Sequence, residues 1–225
     1  MADNLADKVR LSSMSARTSK SSYHHGDLPD ELMRLAVLHI AADGTEKLSL
    51  RALAREAGVS QTAPYRHFPT KRCLLAAVAT QGFEILRERM LEAIAAEESV
   101  EQRFISMGVA YVDFALTHPT HYHLMFGAVL GDFSDYDMLL NASAECFATV
   151  TRVQHELVAA RGLKVDEERL AGVVWAGVHG IASLQLNMGS KEYANKSEAM
   201  NALATVRADV KDSISLMFSQ LVGES

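Results

Sequence analysis

One short stretch of the chain, GVSQTAPYRHFPTKRCLL (residues 58–75), concentrates side chains that can contact a polyanion. It holds a tyrosine, a histidine and three basic residues, although the whole chain has a net charge of −6. The first 72 residues carry 11 basic and 8 acidic side chains, whereas the remaining residues carry 11 and 20. A basic front end on an acidic body is typical of a protein with a small nucleic-acid-binding head.

Glycine, proline and hydroxyl residues divide this part of the chain into helices. The apolar spacing of LSLRALAREAG predicts a helix that begins after Ser49 and ends at Gly58. A second helix is expected to begin at Ser60, and Pro69 separates it from a long helix that Thr70 caps. Two short helices joined by a three-residue turn form a helix-turn-helix, whose second helix enters the major groove of DNA.

The residue types along this helix-turn-helix suit two kinds of DNA contact. Near the start of the second helix, the amide of Gln61 can hydrogen-bond to base edges. Farther along, phenol, imidazole and cationic groups suit phosphates, although Arg66 is equally compatible with a solvated surface position. Pro64 removes one early hydrogen bond from this helix. The predicted DNA-binding residues are Ser49, Arg51, Ser60, Gln61, Thr62, Tyr65, Arg66, His67 and Lys71.

Apolar residues recur at helical spacing along the rest of the chain, and no period-two stretch predicts a strand. After the long helix at about 71–97, further helices are expected at about 101–117, 121–130, 135–161, 166–187 and 197–222. The first helix of the chain is expected to follow a cap at Asp27 and to end before Gly44. The sequence therefore predicts an all-α fold of about nine helices, with a mobile tail at residues 1–22, a head at residues 23–88 and a helical body at residues 89–225.

The location of the protein is predicted from apolar segments and cysteines. Residues 170–190 lack charged side chains and are long enough to span a bilayer, but Gln185 and Asn187 favour a buried helix of a soluble protein. No signal peptide is recognised at the start of the sequence. Cys73 and Cys146 form no spacing motif, which suits reduced thiols. A cytoplasmic protein without a membrane segment is expected.

The stretch LSLRALAREAGVSQTAPYRHFPTKRCLL resembles the DNA-binding domain of the TetR family of bacterial transcriptional regulators. The segments YHHGDL, HPTHYHLMFG and WAGVHG resemble a branch whose C-terminal domain carries a Trp-His-Gly signature. The resemblance implies a homodimer that binds a palindromic DNA operator, usually as a repressor, and that a small molecule in the C-terminal domain releases. It also implies dimerisation through the helices at 166–187 and 197–222. The family's DNA contacts map onto Arg51, Thr62, Tyr65, His67 and Lys71.

The implied C-terminal domain would hold a small apolar effector and a dimer interface. Gly172, Ala176 and Gly180 recur every four residues, which gives a stripe of small residues that allows two backbones to approach. Each aromatic or methionine candidate for the effector site is also compatible with plain core packing, and a histidine on an apolar face with a structural hydrogen bond. The predicted ligand-binding residues are Met107, Tyr111, Phe114, Phe126, Met138, Trp175 and His179.

Other function classes find little support in the residue pattern. No cofactor or metal is predicted, because the His118, His121 and His123 cluster has no nearby cysteine to complete a zinc site. A redox role for Cys146 is less expected than simple burial. An all-α enzyme is the main alternative from another class, but no nucleophile–base spacing or glycine phosphate loop favours it. A DNA-binding regulator without a small-molecule inducer also stays open.

Overall fold

A computed structural model describes residues 28–188 and 197–222, and among these it contains nine α-helices and no strand. The prediction of an all-α fold is therefore confirmed. The predicted tail at residues 1–22 and the predicted cap at Asp27 lie outside the described residues. The helices are α1 Leu28–Asp43, α2 Leu50–Glu56, α3 Lys71–Ala95, α4 Val100–Thr117, α5 Pro119–Phe126, α6 Asp137–Arg161, α7 Glu167–Met188, α8 Glu198–Ala208 and α9 Val210–Val222.

The predicted second helix of the helix-turn-helix is wrong in type, because it is a short 3₁₀ turn at Ala63–Arg66. Pro64 has no N–H to donate to the carbonyl of Ser60. The N–H of Ala63 donates a hydrogen bond to that carbonyl instead, at 3.0 Å. The same three-residue pattern repeats where the N–H of His67 donates to the carbonyl of Pro64 at 3.0 Å. The hydroxyl of Ser60 lies 3.3 Å from that of Thr62, so it does not cap the turn as predicted.

The predicted final helix at 197–222 is divided at Asp209. This residue has φ −142° and ψ 87°, which ends α8. Its carboxylate then accepts a hydrogen bond from the N–H of Asp212 at 2.8 Å, and its carbonyl accepts one from the N–H of Ser213 at 3.1 Å. One aspartate therefore ends one helix and caps the next, without a glycine or proline to mark the break.

The long helix α3 joins the head to the body. The hydroxyl of Thr70 caps it by accepting a hydrogen bond from the N–H of Cys73 at 3.2 Å, as predicted. The helix packs against α1 in the head and against α4, α5 and α6 in the body. Leu32, Leu53 and Leu74 bring α1, α2 and α3 together in one buried apolar core. The predicted domain boundary near residue 88 thus falls within a single unbroken helix.

No helix in the described ranges has both the length and the apolar composition needed to cross a membrane. The long segment without charged side chains lies mostly in α7, whose residues Val174, Val178 and Ala182 are buried along one face. Its opposite face contains exposed positions such as Val173 and Leu184. Helix α7 therefore packs one side into the core, as an amphipathic helix of a globular fold does.

Candidate DNA-binding surface and ligand cavity

The 3₁₀ turn presents polar side chains to solvent and anchors itself with two apolar ones. Pro64 and Phe68 are buried, and they hold the turn on the core of the head. Tyr65 is 42% exposed, which leaves its ring and hydroxyl accessible. The remaining predicted contacts of this segment are also exposed, namely Ser60, Gln61, Thr62, Arg66 and His67.

The start of α2 adds two exposed residues to the same surface. Ser49 occupies the N-cap position, but its side chain makes no capping hydrogen bond. Arg51 is exposed in the first turn of the helix. Neither Arg51 nor Arg66 forms an ion pair or hydrogen bond with any residue in the part of the chain that the structure describes. Such unpaired guanidinium groups are suited to phosphate or to guanine.

Lys71 differs from the other predicted contacts, because its ammonium group is partly engaged inside the protein. The Nζ atom donates to the main-chain oxygens of Thr45 at 3.0 Å and of Glu46 at 3.2 Å. An ammonium group has three N–H donors, so one is left for a phosphate. Lys71 thus fixes the loop between α1 and α2 against the start of α3, a role that sequence spacing did not reveal.

The helical body encloses an apolar cavity of about 420 Å³. Its walls come from α3, α4, α5, α6, α7, α9 and the connection between α5 and α6, and no charged side chain is among the described residues that line it. A volume of this size lies within the range of about 300–1,000 Å³ that is usual for small-molecule sites. The lining residues are Phe83, Leu86, Met90, Phe104, Met107, Gly108, Tyr111, Met125, Phe126, Phe133, Ser143, Ala144, Cys146, Phe147, Val150, Val174, Trp175, Val178, Ile214 and Met217.

Four of the seven predicted ligand-binding residues line this cavity: Met107, Tyr111, Phe126 and Trp175. Phe114 does not line it, and its ring stacks instead on that of His118, with the two ring centroids 5.2 Å apart. Met138 is also misplaced, since it is 75% exposed and borders a separate polar hollow with Arg87. These two positions are corrections to the prediction, because helical spacing identifies an apolar face but not what that face packs against.

Helix α3 supplies cavity residues that the sequence reasoning missed. Phe83, Leu86 and Met90 follow one another at helical spacing and line the cavity, but none of them is among the predicted ligand-binding residues. Phe133 was also missed, since it lies in a short 3₁₀ turn within the α5–α6 connection. The recurrence of large apolar residues along α3 beyond the head was the available signal.

His179 lies next to the cavity and forms a hydrogen-bonded cluster with two tyrosines. Its Nδ1 atom lies 2.9 Å from the hydroxyl of Tyr111 and 2.8 Å from the hydroxyl of Tyr122. Burial raises the pKa of Tyr111 well above its ordinary value and raises the pKa of Tyr122 to about 12. Burial also lowers the pKa of His179, so all three groups are neutral near pH 7.

The cysteines and the histidine cluster do not form a metal site within residues 28–188 and 197–222. Both cysteines are free, and burial raises the pKa of Cys146 to about 12, which keeps its thiol protonated. His121 is buried, and its Nε2 atom lies 3.2 Å from the side-chain oxygen of Gln81. Cys146 and His121 are therefore buried parts of the core.

Comparison with known proteins connects both halves of the chain to one family. Residues 32–78 match the family model described as bacterial regulatory proteins of the tetR family, and residues 104–207 match the tetracyclin repressor-like C-terminal domain. The chain belongs to the TetR family. It is therefore a DNA-binding transcriptional regulator, and the predicted family is confirmed. The finer resemblance to the Trp-His-Gly branch stays a prediction.

Individual relatives of this TetR-family chain cover most of its length. A solved structure of a protein of unknown function from Rhodococcus sp. RHA1 is 34% identical, with a TM-score of 0.69 over 85% of this chain and 97% of that one. A tetR-family regulatory protein from Rhodococcus RHA1 shares the fold, with 18% identity and a TM-score of 0.64 over 88% of this chain and 98% of that one. The nucleoid occlusion factor SlmA of Pectobacterium carotovorum subsp. carotovorum is 25% identical over 158 residues, which is 68% of this chain and 79% of SlmA.

Proposed function

We propose that this TetR-family regulator is a repressor whose operator binding is weakened when an apolar small molecule occupies the cavity. The observation that carries the proposal is the position of α3. At its start, Lys71 holds the loop that precedes α2, and farther along Phe83, Leu86 and Met90 form part of the cavity wall. A ligand that displaces this wall therefore acts on the helix that supports the DNA-binding surface.

A second connection between cavity and head runs through Arg72. Its Nη2 atom donates to the main-chain oxygen of Leu130 at 2.7 Å. Leu130 is fully buried in the α5–α6 connection, and Phe133 of the same connection lines the cavity. We infer that movement of this connection on ligand binding pulls on the first turn of α3 and tilts the head.

The proposed effector is apolar because almost all of the side chains that line the cavity are apolar. Its walls are aromatic, aliphatic and methionine side chains, and the polar groups among the described lining residues are few. The hydroxyl of Ser143 already donates to the main-chain oxygen of Leu140 at 2.8 Å. Transfer of apolar surface from water to such walls supplies about 25 cal/mol for each Å² that is buried.

The proposed homodimer uses the exposed face of α7 together with the C-terminal helices. Leu184 on α7 is 50% exposed and Leu216 on α9 is 62% exposed, so a partner that covers them would bury apolar surface. A Cβ atom added at Gly172 or Gly180 would meet nothing within 4 Å, so a second backbone has room to approach there. A twofold arrangement would present two heads to a palindromic operator.

The remaining assignments follow from the same proposal. Residues 23–88 would form the DNA-binding domain and residues 89–225 the ligand-binding and dimerisation domain, with α3 common to both. The protein would act by binding and not by catalysis, in the cytoplasm where its DNA is. No cofactor takes part in this mechanism.

The proposal is tested by recovering the operator and then trying to release it. Genomic DNA fragments captured by the purified protein are sequenced, and the shared site gives the operator. Compounds that raise the melting temperature of the protein are then added to the protein–operator complex. We expect at least one apolar stabiliser to dissociate the DNA. If stabilising compounds leave the complex intact, the cavity does not control DNA binding.

A further inference from the structure

Two hydroxyl groups converge on one imidazole nitrogen at the edge of the cavity. The hydroxyls of Tyr111 and Tyr122 lie 2.9 Å and 2.8 Å from Nδ1 of His179. Tyr111 lines the cavity, whereas Tyr122 and His179 are outside its lining. A neutral imidazole nitrogen has either one lone pair or one hydrogen, so it cannot form a full hydrogen bond with both hydroxyls at once. One hydroxyl is therefore in excess.

The excess hydroxyl is the one on Tyr111, because Tyr122 is placed to satisfy Nδ1 alone. Of its two contacts with His179, the one to Nδ1 at 2.8 Å is shorter than the one to the main-chain oxygen at 3.4 Å. Tyr111 lines the cavity and Tyr122 does not, so Tyr111 is the tyrosine that can reach a ligand. The hydroxyl hydrogen of Tyr111 can therefore turn from Nδ1 towards the cavity. Nδ1 stays paired, because it keeps its hydrogen bond with Tyr122.

This exchange removes the usual cost of recruiting a buried hydroxyl. Taking a partner away from a buried polar atom costs about 1–3 kcal/mol when the atom is left unsatisfied. Here Tyr122 can pair with Nδ1, so a ligand that accepts the Tyr111 hydrogen does not leave that nitrogen unsatisfied. The rest of the described cavity wall carries no charged side chain, and an anionic ligand would have no counter-ion there.

We infer that the Tyr111 hydroxyl anchors the effector through an uncharged oxygen acceptor, such as a ketone, ester or alcohol oxygen, while the apolar remainder fills the cavity. Tyr111 is the specificity-determining residue, and Tyr122 and His179 are positioning residues that make its hydrogen available. This inference rests on the proposed function, because it names the chemical class of the proposed effector.

The test uses the full-length protein and three probes, of which the ketone and the alkene share one alkyl chain and the carboxylate has one carbon more. Decan-2-one carries a neutral carbonyl, 2-methyldec-1-ene has a methylene in place of that oxygen, and decanoate carries a charge. Trp175 is the single tryptophan of the chain and lines the cavity, so its fluorescence reports binding of each probe directly. Binding to DNA is measured separately, which keeps the head-group inference apart from the proposed release of the operator.

Three matched Tyr→Phe variants separate the roles of the hydroxyls. Tyr111→Phe removes the anchor, and Tyr122→Phe removes the group that takes over Nδ1. Tyr136→Phe is the control, because this tyrosine is partly buried but is absent from the cavity lining. The ratio of the decan-2-one and 2-methyldec-1-ene affinities is compared within each variant, so a loss of folded protein does not alter the result.

We expect Tyr111→Phe to weaken decan-2-one binding about three- to tenfold and to leave 2-methyldec-1-ene within about twofold. Tyr122→Phe should also weaken only the ketone, because its binding would then leave Nδ1 unpaired. Decanoate should bind the unaltered protein at least about tenfold more weakly than the ketone.

Two results would overturn the inference in different ways. If all three probes bind but the ketone-to-alkene ratio is the same in Tyr111→Phe as in Tyr136→Phe, the head-group assignment is wrong and the proposed function stands. If no probe alters the fluorescence of Trp175, the cavity does not take apolar chains, and both the inference and the proposed effector class fail.

Discussion

His121 is a buried histidine whose protonation should oppose folding. Burial first, and the nearby His118 second, lower its pKa to about 4, against an ordinary value of 6.5. Between these two values the unfolded chain holds a proton that the folded chain does not. The contribution of neutral His121 to stability is therefore complete above pH 6.5 and is lost as the pH falls towards 4, by about 3 kcal/mol in total.

We predict that His121→Gln flattens this acid-dependent loss of stability. Glutamine keeps a hydrogen-bonding side chain next to Gln81 but does not titrate. The free energy of unfolding, measured in denaturant at pH 7 and at pH 4.5, should differ less in this variant than in the unaltered protein. His123→Gln on the same helix is the control, because His123 is exposed. Equal pH dependence in the two variants would show that His121 is not the responsible group.

At the DNA surface, the exposed residues of the 3₁₀ turn should divide into base and phosphate contacts. We predict that Gln61→Ala changes the preference of the protein at one operator base pair by about 1–3 kcal/mol. Arg66→Ala should weaken binding to all sequences alike and lower the salt dependence by about one phosphate contact. The control is Arg152→Ala, which removes an exposed charge from α6.

These affinities are measured by fluorescence anisotropy on the recovered operator and on single-base variants, over a range of salt concentrations. A uniform effect of Gln61→Ala across all operators would place that residue on the backbone. An unchanged salt dependence in Arg66→Ala would instead make Arg66 a solvated residue.

At the scale of helices, the Arg72–Leu130 hydrogen bond should carry part of the coupling between cavity and head. We predict that Arg72→Ala retains operator binding and ligand binding but reduces the free energy of coupling between them by about 0.5–2 kcal/mol. Arg89→Ala is the matched control, because Arg89 is on the same helix and pairs with Asp113 at 3.1 Å on the surface. Coupling is measured as the ratio of operator affinities with and without saturating ligand.

A coupling ratio in Arg72→Ala that equals the ratio in Arg89→Ala would exclude this hydrogen bond from the mechanism. The continuous packing of α3 against the cavity would then be the remaining connection. A loss of operator binding in the absence of ligand would show that Arg72 mainly supports the head.

The sequence predicted the helices where local signals mark their ends. Thr70 caps α3, and glycines with positive φ follow α1 and α2, at Gly44 and Gly58. The 3₁₀ turn was not predicted, because Pro64 near the start of an α-helix is expected to remove one hydrogen bond and not to change the type of helix. The break at Asp209 was missed as well, since an aspartate within an otherwise helical pattern gives no distinct signal.

The candidate sites were predictable to different degrees for a physical reason. Most of the predicted DNA contacts lie within one continuous stretch, so spacing alone identifies the exposed residues around Tyr65. The cavity is built from residues distant in sequence, and whether Phe114 or Phe83 faces it depends on how the helices pack. The Tyr111–His179–Tyr122 cluster joins three helices, and no single segment could reveal it.

At the scale of the whole molecule, the exposed apolar face of α7 should determine the oligomeric state. We predict that Leu184→Glu converts a dimer to a monomer, because a carboxylate at a closely packed apolar interface loses its hydration without gaining a partner. Leu140→Glu is the control, since Leu140 on α6 is also about half exposed. The molar mass is measured by light scattering, and a dimeric Leu184→Glu variant would place the interface elsewhere.

A ligand in the cavity and DNA on the head should weaken each other's binding. The most direct test measures operator affinity with and without saturating ligand, and ligand affinity with and without operator, on the same protein. We predict that each affinity falls by the same factor, of about tenfold or more, as linkage requires. Operator affinity that does not change when the cavity is fully occupied would contradict the account.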